Sequence, residues 1–443
     1  MKRIFYFFIL IMAFVACTDD DSFSAAKGLK LEFPADTITL DTVFSLTPSA
    51  THSFWVHNRN DKGVRLKSVR LKRENQTGFR VNVDGIYLDH ANGAQANDIE
   101  IRKKDSIQVF VEITPHASYS SVPESVTDQL LFLLENGEEQ GVYVQAWAWD
   151  AVKCHSSVIE KDSTIESDKP IVVYGDLIVK EGAQLTIQNT TLYFHAGAGL
   201  MVHGSLRTNN CILRGDRLDH MFSYLPYDRV PGQWKGVRLF ETSDNNVLIN
   251  TQIRNSVNGL VCDSAAINHM DYRLVMQQCV VHNSQGDGVK LTNAHVRLED
   301  CQLSNAMGHC LSVDGGIVDI SYCTLAQFYP FAGGRGAALH FTNLTAPLVA
   351  LTCQGVIVTG YDEDVLIGEQ SSGNDPDFNY SFVRCLLRTP SVEDTGHFND
   401  IIWDDPEAEI QGKKHFVKVD EDNLDYDFHL DSLSTAIGLG CYR

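Results

Sequence analysis

Residues 214–234, RGDRLDHMFSYLPYDRVPGQW, gather Arg217, Asp219, His220, Tyr224, Tyr227, Asp228, Arg229 and Trp234 into one short stretch. Aromatic rings stack on the apolar faces of sugars, and guanidinium groups pair with carboxylates. Arg217, His220, Tyr224, Tyr227, Arg229 and Trp234 would therefore suit a glycan that carries uronate. The same stretch also reads as a structural flap whose Trp234 packs onto neighbouring elements. Asp263, Asp287, Asp314 and Asp319 invite a cation or hydrolase reading, which requires carboxylates that converge. Their spacing places them in different columns, as solvated bend residues. His282 and His309 near Lys290 could supply a general base, since imidazole titrates near neutral pH. The five histidines His269, His282, His295, His309 and His340 do not share a column, and no CxxC is present, so no metal is expected. The acidic run 420–427 lacks the glycine and terminal glutamate of a Ca²⁺ loop and reads as a capping loop. No cofactor is expected either.

These residues hang on a repeat. LVMQQCVVHN, VRLEDCQLSN and VDISYCTLAQ start at Leu274, Val296 and Val318, 22 residues apart. In register, Cys279, Cys301 and Cys323 form one column, and Asn283, Asn305 and Gln327 another. Apolar residues alternate within each row, the period of a strand with one face inward. A short fixed period signals a solenoid, in which stacking buries what one repeat cannot bury alone. Short strands at this period, with no helical pattern, predict a parallel β-helix. Adjacent coils lie about 4.8 Å apart, and the cysteine column is expected to be reduced, small and buried. The amide column is expected to form an interlocking ladder that satisfies buried polar groups.

Ahead of the repeat, strand-like runs recur between residues 38 and 149 with Gly-, Asn- and Asp-rich loops between them, which predicts a β-sandwich over 28–152. Trp55, Trp147 and Trp149 in it could form a sugar platform or pack internally. With 36 basic and 57 acidic residues the chain carries a formal charge of −21, which argues against nucleic acid or an anionic membrane surface as partner. Lys2 and Arg3 precede an apolar run that ends at Cys17, too short to span a bilayer and typical of a signal peptide. Residues 18–27 read as a polar tether, and 153–170 as a connector into a β-helix spanning 153–443.

Phe14-Val15-Ala16-Cys17 resembles a bacterial lipobox, with Phe14 where leucine is usual, and Thr18-Asp19-Asp20-Asp21 resembles the acidic export signal of Bacteroidetes-type lipoproteins. The resemblance implies cleavage after residue 16, lipidation of Cys17 and display on the outer membrane. SFWVHNRN, VRLKSVRL, IQVFVEITP and VYVQAWAW resemble immunoglobulin-like modules of the abnormal-spindle/sperm-protein type. Gly175, Leu177, Val179, Gly182, Leu185 and Ile187, then PGQWKGVRL, then DFHLDSLSTAIGLG resemble the opening, middle and closing phrases of lipid-anchored right-handed parallel β-helix repeat proteins. Thr435 and Gly438 depart from the closing phrase. That family includes polysaccharide lyases, glycosidases and proteins without known activity. Three functions follow as expectations: a surface lipoprotein that binds polysaccharide or another surface component without catalysis, a lyase or glycosidase acting on an acidic glycan, or a structural adhesin. Polygalacturonase-like chemistry would need a motif set of which only a fragment, Gly308-His309-Cys310, is present.

Overall fold

The computed structural model describes residues 22–74, 76–88, 93–220, 226–372 and 377–443. Cys17 and Tyr224 lie outside these. The chain divides into two compact units, Met1–Asp150 and Ala151–Arg443.

In the first unit, strands with one face inward, such as Val64–Leu71 and Ser106–Ile113, build two sheets. One runs in the order Thr37–Phe44, Glu139–Trp149, Glu124–Leu134, Val64–Leu71, Gln95–Ile101; the other His52–His57, Ser106–Ile113, Phe79–Val83, Ile86–Tyr87. Their inward residues, among them Val56, Leu66, Phe79, Val109, Phe132 and Val144, form one core. This is a β-sandwich. Trp55 sits on the second sheet and is 48% exposed. Trp147 and Trp149 share a strand of the first sheet, and Trp149 stacks on Phe44 with its Nε1 donating to the Ser121 carbonyl at 3.0 Å. The three tryptophans therefore do not make one platform.

The second unit is a parallel β-helix. A 24-stranded parallel sheet winds from Val152–Ile159 to Ile402–Trp403. Residues 153–170, read from sequence as a connector, instead supply the first coil: Val152–Ile159 pairs with Ile171–Val179, and Ser163–Ile165 with Gln184–Gln188. The three rows stack as their period requires, with Leu274 beside Val296 beside Val318. Val281, Leu303 and Leu325 line up on the next side. The inward side chains merge into one continuous apolar core. Cys279, Cys301 and Cys323 lie fully buried in it, and the ten described cysteines are free thiols.

The corners explain the asparagines. Asn189, Asn210, Asn250, Gln278, Asp300 and Tyr322 occupy one corner, each with positive φ. The backbone turns there through the left-handed region, which asparagine tolerates better than most residues. Here an amide ladder exists: Asn250 Nδ2 donates to Asn210 Oδ1 at 3.2 Å, Asn210 to Asn189 at 3.1 Å, and Asn189 to Glu166 at 2.9 Å. The expected ladder of Asn283, Asn305 and Gln327 does not form. Those amides are buried in one column, and Asn283 and Asn305 are also left-handed. Each, however, serves a different loop: Asn283 donates to the Arg229 carbonyl, Asn305 accepts from the Phe328 amide at 3.2 Å, and Gln327 donates to the Gly308 and Gly336 carbonyls at 3.0 and 2.9 Å. Chain leaves the stack at this corner, and its unsatisfied backbone groups capture the amides first. The uniform corner offers an amide only the amide of the next coil.

Asn250→Gly keeps the left-handed turn and removes the ladder bond, a loss of about 1 kcal/mol. Asn250→Ala should cost about 1 kcal/mol more, because a Cβ opposes that backbone region. Thermal unfolding that ranks the two variants the other way would remove the corner's conformational role.

Candidate functional site

One outward-facing column runs down a flank of the helix. Register places Tyr193 beside Arg214, Arg214 beside Arg254, Arg254 beside His282, His282 beside Ser304, and Ser304 beside Ala326. Its far half is covered. The C-terminal hairpin of Phe416–Asp420 and Asp425–Leu430 folds back over it, and Phe416, Phe428, Ala436 and Leu439 pack with Ala326, Phe328, Ile357 and Leu386 into a second apolar core. The acidic run 420–427 is the turn and return strand of this hairpin: Asp420 accepts from the Asn423 amide at 3.0 Å, and Lys418 pairs with Asp425.

The near half is open. Between the hairpin and the loop that leaves the stack at Arg214 lies a cavity of about 450 Å³, floored by Gln252, Arg254, His282 and Gln302 and walled by Arg229 and Tyr426. The loop is fastened to the stack by backbone carbonyls. Asn255 Nδ2 donates to Asp228 and Val230 at 2.9 and 3.0 Å, and Arg214 Nη2 to Asp228 at 3.0 Å. Arg229 Nη1 crosses to the hairpin turn, donating to the Asn423 and Leu424 carbonyls at 2.9 and 3.3 Å.

Trp234 anchors the loop rather than facing a ligand. It is 1% exposed, lies 4.3 Å from Phe194 at an interplanar angle of 11°, and its Nε1 donates to the Arg254 carbonyl at 2.8 Å. Gly236, just beyond it, holds φ +99°, and a Cβ there would sit 1.6 Å from the Asn258 carbonyl oxygen. The G-x-W-x-G pattern is thus a packing device. Arg217 is spent within the loop: it forks onto Asp219 at 2.5 and 2.6 Å and lies over Tyr227, 4.2 Å from the ring centre. His220 stands 3.1 Å from Asp228. Of the six residues expected to contact a ligand, Arg229 lines the cavity, and Tyr224 is outside the described residues.

The electrostatics of the cavity are uneven. Asp425 faces Lys418, Asp427 accepts from His429 at 2.6 Å, and Asp228 has His220. Arg254 has no such complement. Among the described residues no hydrogen bond or ion pair reaches its guanidinium, and its Nε is buried. Burial, and then the charge of Arg214, pull its pKa below the usual arginine value. Burial and the Arg254 charge likewise push His282 down to about 3, so its ring is neutral at physiological pH, with Nδ1 2.8 Å from Ser304 Oγ.

Arg254 was missed from the sequence, although a signal existed. Reading three residues past the cysteine column yields Arg214, Arg254, His282 and Ser304 in turn, with Thr251 standing where the cysteine would be.

The remaining candidates do not converge. His309 belongs to a different corner from His282: it stacks on His340 at 4.4 Å, and its Nδ1 accepts from the Ala337 amide at 2.9 Å. Asp263 pairs with Arg238 at 2.8 Å, and Asp287 accepts from the His309 amide at 2.8 Å. Asp314 accepts from the Thr345 amide at 2.9 Å, and Asp319 from Tyr272 and Thr352 at 3.0 and 2.5 Å. Among the described residues no three His, Cys, Asp or Glu side chains gather as a metal site would need.

A family model described as a right handed beta helix region matches residues 151–325. This segment is a right-handed β-helix. No curated protein matches the chain. Among solved structures, the chain is similar to an ASH/PapD-like domain of human CEP192, at 9% identity and a TM-score of 0.19 over 30% of this chain and 94% of that one. A second is a family 123 glycoside hydrolase from Clostridium perfringens, at 7% identity and 0.19 over 27% and 26%. A third is the catalytic domain of a GH87 alpha-1,3-glucanase variant in complex with tetrasaccharides, at 8% identity and 0.26 over 80% and 88%. Likeness of this size carries no functional argument.

Proposed function

We propose that this chain is a cell-surface lipoprotein whose β-helix binds a glycan, or another component of the surface, in the flank cleft without catalysis. The cleft itself carries the reading: a polar cavity of about 450 Å³ where the loop beginning at Arg214 and the C-terminal hairpin meet a rigid stack. Irregular segments held by a regular scaffold are where binding sites concentrate. A binding role is favoured over a catalytic one because, of the two imidazoles that line the cavity among the described residues, His282 is pushed down to about 3 and His429 is held on Asp427 at 2.6 Å. A general base works best with a pKa near the operating pH. Anchoring follows from the resemblance of Ala16-Cys17 and the acids behind it to an exported lipobox, which would tether the sandwich and helix to the outer membrane through lipid on Cys17.

Purified protein beginning at Thr18 on a glycan array, followed by a product assay on each bound glycan, tests this. Binding without product release supports the reading. New unsaturated ends would replace it with a lyase, and failure to bind any glycan would leave an adhesin.

A further inference from the structure

The cleft lacks one component that the chain could easily have supplied. Arg214 and Arg254 stack on adjacent coils, with backbones about 4.8 Å apart, and both line the cavity. Two like charges held this close and partly desolvated repel each other, and each buried guanidinium ordinarily has a carboxylate to offset its desolvation. Among the described residues Arg214 donates hydrogen bonds to carbonyl oxygens alone, those of Gly215, Arg217 and Asp228, and its guanidinium lies over the Tyr193 ring at 5.6 Å. Arg254 has no hydrogen-bonding or ionic partner among the described residues. This happens in a chain with 57 acidic residues and a net charge of −21, so the shortage is local. Of the carboxylates that line the cavity, Asp425 and Asp427 are matched by Lys418 and His429, and Asp228, which stands by His220, acts on Arg214 but does not pair with Arg254. The neighbouring floor groups, Gln252, Gln302 and neutral His282, carry hydrogen-bonding capacity without charge.

We infer that Arg214 and Arg254 form an oxyanion seat, and that the ligand of the cleft presents a carboxylate or a sulfate ester between the two guanidinium groups. A planar fork matches the oxygen pairs of either group, and an anion placed there relieves the repulsion that the free protein carries. This rests on the glycan-binding reading for the remainder of the ligand and adds to it the charged group that would select among glycans.

The test uses the chain from Thr18 and four probes in titration calorimetry at low and high salt: an oligoglucuronate, a sulfated glucan, neutral glucan of the same length, and sodium sulfate or acetate alone. The anionic glycans should bind at least about tenfold more tightly than the neutral one, and the difference between the first two identifies the oxyanion. Arg254→Gln should lose about tenfold or more in that binding, while its melting temperature in the absence of ligand stays the same or rises, because a repulsion has been removed. Arg254→Lys, which keeps charge but not the fork, should fall between. Equal binding by neutral glucan and by Arg254→Gln overturns the seat and leaves the glycan reading standing. Sulfate or acetate that raises the melting temperature of the parent but not of Arg254→Gln, with no glycan bound, upholds the seat and overturns the glycan reading. An Arg254→Gln protein that is less stable or does not fold makes Arg254 a structural residue and overturns the inference.

Discussion

Asp404→Ala should lower the unfolding free energy of the β-helix unit by about 3–5 kcal/mol, because it strands a buried charge. The Asp404 side chain is 1% exposed and Arg388, 3.3 Å away, is 5% exposed. The carboxylate also accepts from Thr359 Oγ1 at 2.9 Å and from the Gly412 amide at 3.1 Å, and it lies 3.1 Å from His415 Nε2. His415 Nδ1 in turn lies 3.0 Å from Ser434 Oγ, whose oxygen accepts from the Ala436 amide at 3.1 Å. This serine, histidine and aspartate are in sequence with one another like a nucleophilic triad. All three are buried, and the hydroxyl is committed to a turn, so the arrangement fastens the C-terminal segment to the last coils.

Removing the carboxylate should therefore do more than lower stability. The segment after Asp404 should become the first site of proteolysis, and the cleft, whose wall is the hairpin, should lose its ligand. The pH dependence has a definite sign. Burial alone would raise the Asp404 carboxyl, but His415, Thr359 and Arg388 together hold it below the usual aspartate value. A folded pKa depressed below the unfolded value of about 3.9 stabilises the protein above about pH 4 and loses that contribution as pH falls through the folded value. Chemical denaturation across pH 2.5–7 should show this slope in the parent (a window of roughly that span follows from the unfolded pKa) and a flatter one in the variant. Identical slopes would remove Asp404 from the account.

Trp234→Ala should cost a further class of stability, about 3–5 kcal/mol, through a cavity in the core. The indole fills space against Phe194 and satisfies the Arg254 carbonyl. Trp234→Phe keeps most of the ring and forfeits the N–H bond, so its loss should be nearer 1–2 kcal/mol. Because Gln233 beside it donates to the Val230 carbonyl at 2.8 Å, loosening this anchor should also weaken ligand binding in the order alanine, then phenylalanine. Denaturation curves in which the two variants coincide would assign the site's stability elsewhere. A tryptophan that contacted ligand directly would show the opposite pattern, lost binding with stability intact.

The repeat was legible in the sequence because a solenoid coil contacts mainly the coil before and the coil after it. Neighbour-to-neighbour stacking writes itself into the chain as columns at a nearly constant spacing, and Leu274 beside Val296 beside Val318 is such a column. The same physics made the cysteine column readable as core. The asparagine column was read correctly as a corner position and wrongly as a ladder. Residue type records the left-handed backbone, but the partner of an amide depends on which loop happens to leave the stack there.

The cleft required the fold. Arg214 and Arg254 are neighbours across a coil that includes the loop anchored by Trp234, and an insertion of that size breaks the 22-residue spacing, leaving only their shared offset from Cys211 and Thr251 to align them. The hairpin's return to the flank at Arg229, and the burial of Asp404 with Arg388, His415 and Ser434, join segments with no shared period at all. By itself the sequence determined the stack, its inward face and its chemistry of small buried thiols, since those are repeated local decisions. Only the tertiary structure decided which flank is covered, which is left open, and that the open one holds two stacked arginines of which Arg254 has no carboxylate partner among the described residues, because long-range closure is made once and leaves no repeat to read.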